Sequence, residues 1–222
     1  MPRAVLFDLF DTIVVSDWSR WRRLTADLIG VDERTVDDAY RLTRPRRNRG
    51  HYPDVEAETR AVIETVGIED PPLDLVRGVA AAQFEFMRTQ IELEPDVVEV
   101  VDRLRAGDVA TSLISNCSFS AVPLVERLGL ADLFDAVVLS FEVGTAKPDA
   151  RIYELALEAL GGVAPADALF VDDQVTFCDG ARALGIDTRL LLRPHAAPPE
   201  GISAETNGHA VITDLRPLLD LA

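Results

Sequence analysis

The sequence predicts an α/β protein built on a doubly wound parallel sheet, with a helical unit inserted after its first strand. Three observations carry that expectation. An apolar run opens the chain at 4–10, strand-like and helix-like segments alternate from residue 93 onward, and between about 16 and 92 only helical patterns occur. Alternating β and α segments form parallel sheets covered on both faces, because each crossover lays a helix back on the sheet. The expected division is a core of residues 1–15 and 93–222 and a helical insertion of residues 16–92.

Residues 4–10, AVLFDLF, are apolar apart from Asp8, as a strand buried on both faces requires. In DWSRWRRLTADLIG, Trp18, Trp21, Leu24 and Leu28 recur at helical spacing and Gly30 stops the run. DERTVDDAYRL and VEAETRAVIETVG predict a second and a third helix, and LDLVRGVAAAQFEFMRTQIEL continues the helical character. EPDVVEVVDRLRAG then reads as a helix with Pro95 near its first turn and Gly107 past its end. VATSLISN is a strand, FSAVPLVERLG a helix, FDAVVLS a strand and DARIYELALEALGG a helix. DALFVDD, FCDGARALG and DTRLLL repeat the alternation as strand, helix and strand. RPHAAPPEGISAETNGHA is a Pro/Gly-rich loop before a short closing strand and helix.

At 222 residues the chain can bury one sizeable core with a smaller insertion. Its formal net charge of −16 argues against a general nucleic-acid binder, since phosphate backbones need a basic face. A few local arginines can still hold a small anionic substrate. No apolar run approaches the ~20 residues of a membrane span, and the N-terminus has no signal-peptide pattern. A cytoplasmic enzyme or binding domain is expected. The two cysteines, Cys117 and Cys178, do not make a disulfide scaffold. Each follows a strand that flanks the first, and buried inert thiols are expected.

In doubly wound sheets, ligands bind at the carboxyl ends of the strands near the point where strand order reverses. That rule gathers Asp8, Phe10, Asp11 and Thr12 from the first strand, Ser115 and Asn116 from LISN, Lys147 from GTAKPD, and Asp172 and Asp173 from FVDDQ. Two adjacent acids ending a buried strand repel one another unless a cation or hydrogen-bond donors compensate. For Ser115 and Asn116 alone, a turn or helix cap remains an equal reading.

With these motifs in this order the sequence resembles the haloacid dehalogenase superfamily of hydrolases. The resemblance spans essentially the whole chain: the strand followed by Asp8-x-x-x-Thr12, the strand ending in Ser115-Asn116, the Lys147-Pro148-Asp149 loop with Tyr153, and the Asp172-Asp173 strand end. The insertion at 16–92 matches that family's small helical cap. The resemblance implies that Asp8 is a nucleophile forming a covalent intermediate. It implies that Thr12, Ser115, Asn116 and Lys147 serve the same site, with Tyr153 on the substrate side. It further implies that Asp8, the backbone carbonyl of Phe10, Asp172 and Asp173 bind Mg²⁺, which prefers oxygen ligands and phosphate.

The chain departs from the family's phosphatases at one position. They carry a second aspartate two residues after the nucleophile to protonate the leaving group, and here that residue is Phe10. Asp11 follows where glycine is usual, and in extended backbone it would face the other way, unless a turn brings it round. The dehalogenase branch commonly places an aromatic residue at Phe10, since halide needs no proton, but it lacks the metal and the acids at 172–173. Gln174 matches that branch's amide. Phe177 stands where both branches usually have a polar side chain.

RLTRPRRNRGHYP concentrates Arg41, Arg44, Arg46, Arg47, Arg49 and His51. It reads as a solvated loop at a helix end or as a cap segment whose Arg41, Arg44 and Arg46 grip an anionic substrate. Three readings stay open at this level: a Mg²⁺-dependent phosphatase of small metabolites, a metal-independent 2-haloacid dehalogenase, and a catalytically degraded binding protein. No role falls to His195 or His209.

Overall fold

A computed structural model describes residues 1–194 and 206–221. β1 (Ala4–Phe7) is completely buried at the centre of a six-stranded sheet. The chain turns into β2 (Val14–Val15) and then forms α1 (Trp18–Ile29), α2 (Glu33–Arg47), α3 (Val55–Thr65) and α4 (Leu73–Thr89). β3 (Glu92–Leu93) pairs antiparallel with β2, so the helical insertion leaves and returns through one short ribbon. There follow α5 (Val97–Ala106), β4 (Ala110–Ser115), α6 (Val122–Arg127), α7 (Leu130–Leu133), β5 (Ala136–Leu139) and α8 (Ser140–Val143). The chain continues with α9 (Ala150–Ala159), β6 (Ala168–Asp172), α10 (Val175–Ala183), β7 (Asp187–Leu191) and β8 (Ala210–Ile212). A 3₁₀ segment, Arg216–Leu221, stands where a closing helix is expected.

The strand order is β5-β4-β1-β6-β7-β8, with every neighbouring pair parallel. Strand order therefore reverses beside β1, the place where doubly wound sheets bind ligands. Successive β1 side chains face opposite sides. Val5 and Phe7 join a core with Val97, Val100, Val101 and Leu104 of α5, while Ala4 and Leu6 join a second core with Ile152 and Ala156 of α9 and Ala181 of α10. Burying each large side chain contributes roughly 1.5–3 kcal/mol, which explains the unbroken apolar run of β1.

The inserted helices pack as the pairs α1–α2, α2–α3, α3–α4 and α1–α4. Trp21, Phe86 and Met87 join the first sheet core, whereas Ile29, Ile63, Val76 and Val79 form a smaller cluster of their own. Among the described residues no helix is long and apolar enough to cross a membrane.

Two expectations are corrected. The first strand ends at Phe7 rather than at residue 10, because the amides of Ile13 and Val14 both donate to the Leu9 carbonyl, at 3.0 Å each, and turn the chain. The arginine-rich stretch does not begin as a loop. α2 runs through Pro45 to Arg47 and closes on the Asn48 amide, 2.9 Å from the Arg44 carbonyl. Pro45 removes one ladder hydrogen bond, but burial of Val36, Ala39 and Thr43 holds the helix by packing. α7 and α8, four residues each, are too short to show a period in sequence. Within the Pro/Gly-rich stretch, residues 195–205, including His195, lie outside the described residues.

Candidate active site

The Asp8 amide donates to the Val171 carbonyl at 2.9 Å and extends the β1–β6 ladder by one residue. That register sets Asp8 level with Asp172 on the adjoining strand. Between them stands Lys147, fully buried, whose Nζ donates to Asp172 Oδ2 at 2.7 Å and to Asp8 Oδ1. Asn116 fixes the lysine's backbone: its Oδ1 accepts the Lys147 amide at 2.8 Å and its Nδ2 donates to the Lys147 carbonyl at 2.9 Å. α10 seats the same loop, since a Cβ on Gly180 would stand 2.8 Å from the Cβ and carbonyl oxygen of Pro148. The Phe177 and Phe170 rings cover the ammonium, with centroids 5.0 and 5.4 Å from Nζ. Phe177 thus turns an aromatic face to the lysine.

Asp8, Asp172 and Asp173 are all buried and each offers a carboxylate oxygen within 4.8 Å of the others. Burial pushes Asp8 up to about 7, opposed by Lys147 and reinforced by the Asp172 charge. Burial and the charges of Asp172 and Asp8 push Asp173 up to about 9. Burial raises Asp172 too, against the pull of Lys147. Burial alone would lower Lys147, but the two carboxylates outweigh it and keep the ammonium charged. One cation cannot neutralise three buried carboxylates. Asp173 Oδ1, Thr12 Oγ1 and Ser115 Oγ are buried with no hydrogen-bond partner. Unpartnered buried oxygens of this kind call for a ligand or ion, and an all-oxygen donor set suits Mg²⁺.

The turn at residues 9–13 decides where Asp11 faces. Its φ is +59°, the left-handed region that aspartate tolerates better than most residues. The half-buried carboxylate accepts from the Trp18 indole, and burial, then the Asp8 charge, lifts it to about 6. Asp11 is therefore brought round toward the acidic cluster. Phe10 packs edge-on against Trp18 with ring centroids 5.3 Å apart.

The other predicted contacts fall differently. Tyr153 is fully buried, its hydroxyl donated to the Phe177 carbonyl at 2.7 Å, so it packs the core behind the site. Arg41, Arg44 and Arg46 are exposed on α2; Arg41 pairs with Asp38 at 2.7 Å and Arg46 lies over Tyr52. The inward member of the cluster is Arg47, which donates to Thr43 Oγ1 and the Tyr40 carbonyl at 3.1 Å each. Nearby Glu58 on α3 is buried against Ser118 and the Phe119 amide, just beyond Ser115-Asn116. Its Oε1 has no hydrogen-bond partner, and burial lifts it to about 7 despite Arg47. Just past α2 the chain runs against α8: a Cβ on Gly50 would collide with the Phe141 carbonyl oxygen. Sequence reasoning missed Glu58 and also Arg193, which donates to the Thr12 carbonyl, because neither belongs to a motif. Cys117 and Cys178 are buried free thiols, Cys117 pushed up to about 12 by burial.

A family model of haloacid dehalogenase-like hydrolases matches residues 2–185. The chain belongs to that family. Among curated relatives, a phosphatase of Mycobacterium tuberculosis is 30% identical over 207 residues, 86% of this chain and 87% of the relative. A pyrimidine 5'-nucleotidase of Escherichia coli is 38% identical over 113 residues, a match spanning 49% of each chain. The fold matches the L-2-haloacid dehalogenase of Xanthobacter autotrophicus at a TM-score of 0.67 and 23% identity, covering 100% of this chain and 98% of that one. It also matches a phosphatase of the family from Thermococcus onnurineus at 0.66 and 18% identity, covering 99% and 97%.

Proposed function

We propose that the chain is a Mg²⁺-dependent hydrolase of small phosphorylated metabolites, working in the cytoplasm with residues 16–92 as its cap. The observation that carries this reading is the buried trio Asp8, Asp172 and Asp173, facing a single lysine and retaining an unpartnered oxygen on Asp173. Asp8, Asp173, Asp172 and the Phe10 carbonyl would hold the metal, which supplies charge neutralisation to the phosphoryl oxygens.

Asp8 attacks phosphorus: an aspartyl oxygen–phosphorus bond forms while the bond to the leaving oxygen breaks. Lys147 and the hydroxyls of Thr12 and Ser115 hold the phosphoryl oxygens. Asp11, near 6, gives its proton to the leaving oxygen and recovers one from the water that opens the intermediate and releases phosphate. In this reading Asn116 acts on Lys147 rather than on substrate.

Phe10 favours one second reading, a dehalogenase in which Asp8 displaces halide from a 2-halo acid and no acid is needed. Two measurements separate them: phosphate release from a panel of small phosphate monoesters, with Mg²⁺ and with chelator, and halide release from 2-halo acids without metal. Metal-dependent phosphate release, absent in Asp8→Asn and strongly reduced in Asp11→Asn, is expected. Halide release without metal would instead establish the dehalogenase, and neither activity would leave a binding protein.

A further inference from the structure

Arg193 follows β7 and is 6% exposed, a degree of burial a guanidinium reaches only when it is paired. Its Nε donates to the Thr12 carbonyl at 2.8 Å. Its Nη2 and Nη1 donate to the two carboxylate oxygens of Asp96, at 2.9 and 3.2 Å, and Nη1 lies 3.3 Å from Glu94 Oε2. Asp96 is itself anchored by the Leu215 amide at 2.7 Å. One side chain therefore grips both the turn that carries Asp8 and Thr12 and the segment by which the insertion returns. The two segments also touch directly, the Glu94 amide donating to the Ile13 carbonyl at 3.0 Å. β7 is two strands from β1, so Arg193 reaches past the end of β6 to make these contacts.

We propose that Arg193 is a positioning residue: it holds the Thr12 backbone, and through it the spacing between the Asp8 carboxylate and the Thr12 hydroxyl. The proposal rests on the reading that Asp8 attacks and Thr12 binds the transferring group. Its physical basis is the rigid fork of arginine, whose donors point in fixed directions. Asp96 takes two of them side by side and orients the fork, and the remaining Nε is aimed at Thr12. Lysine offers donors from a single atom and cannot span these three acceptors. A reacting pair misplaced by about 1 Å loses on the order of a hundredfold in rate, so a backbone grip four residues from the nucleophile acts on kcat rather than on substrate affinity.

The test is a kinetic cycle of Arg193→Lys and Thr12→Val on a phosphate monoester, with hydrogen exchange measured over residues 9–16 and 92–97. Arg193→Lys is expected to lower kcat by about tenfold or more with KM within about threefold, and to raise exchange in both segments. In the Thr12→Val background the added loss should shrink to within about twofold, because both changes act through one group. Losses that multiply fully, or faster exchange with unchanged kcat, would overturn the proposal and leave Arg193 a strut of the fold alone. If Arg193→Lys does not fold, Asp96→Asn takes its place, keeping the arginine and releasing its anchor, with the same non-additivity expected. A wild-type protein that hydrolyses no monoester overturns the phosphatase reading instead. Exchange then decides the grip: unchanged rates in both segments would refute it.

Discussion

The carboxyl edge of the sheet keeps its charges inside, whereas the inserted helices keep most of theirs outside. Asp8, Lys147, Asp172 and Asp173 are buried on strand ends or on a loop clamped by Asn116, while Arg41, Arg44 and Arg46 stand exposed on α2. Buried charges depend on one another, since each would be costly alone. Exposed ones are screened by water and salt, and pairs such as Arg41–Asp38 add at most about 1 kcal/mol. Substitutions of charged residues should therefore be severe at the edge and mild on the insertion, except at Arg47 and Glu58, its buried charges among the described residues.

The largest contrast is expected at the edge. Asp8→Asn should reduce turnover by about a thousandfold or more, with the fold intact because Lys147 still pairs with Asp172. Lys147→Ala should be as inactive and also lose about 3–5 kcal/mol of stability, because it leaves buried carboxylates without their cation. Denaturant unfolding beside the activity assay reads both. If Lys147→Ala is as stable as Asp8→Asn, the edge does not depend on its charge balance.

Much of that edge was legible in the sequence because strand ends convert order into position. Once the apolar runs are strands of one parallel sheet, the residues at or just past their ends meet, and Asp8, Ser115 and Asp172 follow from that alone, whereas Lys147 lies on a loop beyond α8. Asn116 was expected at the site, but its clamp on Lys147 was not legible, because a side chain closing on a backbone 31 residues away leaves no pattern. The direction of Asp11 depends on one positive φ, which an aspartate permits but does not announce. In the insertion the helices were legible from their period and the inward arginine was not. Arg41, Arg44, Arg46 and Arg47 lie within two turns of one helix, and only Arg47 folds back onto Tyr40 and Thr43 and is buried. Tyr153 fits the motif spacing, yet its ring is a core residue against Phe170, 5.3 Å between centroids.

A smaller effect sharpens the comparison from the side of the metal. Mg²⁺ should raise the Tm of the wild-type protein, since an ion that binds only the folded state stabilises it in proportion to its occupancy. Asp173→Asn should lose most of that rise while melting no lower than wild type in chelator, because it removes a carboxylate that burial and the charges of Asp172, Asp8 and Asp11 oppose. Substitutions of Arg44 or Arg46 should leave the Mg²⁺ response unchanged. A wild-type Tm indifferent to Mg²⁺ would remove the metal from the edge.

The smallest expected effect lies at the seam, where the insertion behaves like the edge. Glu58 faces Arg47 from α2, Asp54 from its own helix end, and Ser118 and the Phe119 amide from the sheet side. Burial lifts it to about 7, above the ~4.3 of an unfolded glutamate. A carboxyl raised in this way stabilises the fold fully below the unfolded value, and that contribution is lost as pH rises through the folded one. The wild-type protein should therefore lose Tm between about pH 4.3 and about pH 7 relative to Glu58→Gln, whose amide carries no charge to desolvate. Arg44→Ala and Arg46→Ala should melt in parallel with wild type across the same range, because their side chains are already in water. If the Glu58→Gln and wild-type curves run parallel, the seam is electrostatically no different from the outer face of α2. The boundary between inside and outside charges would then fall at the sheet itself, and not one helix layer above it.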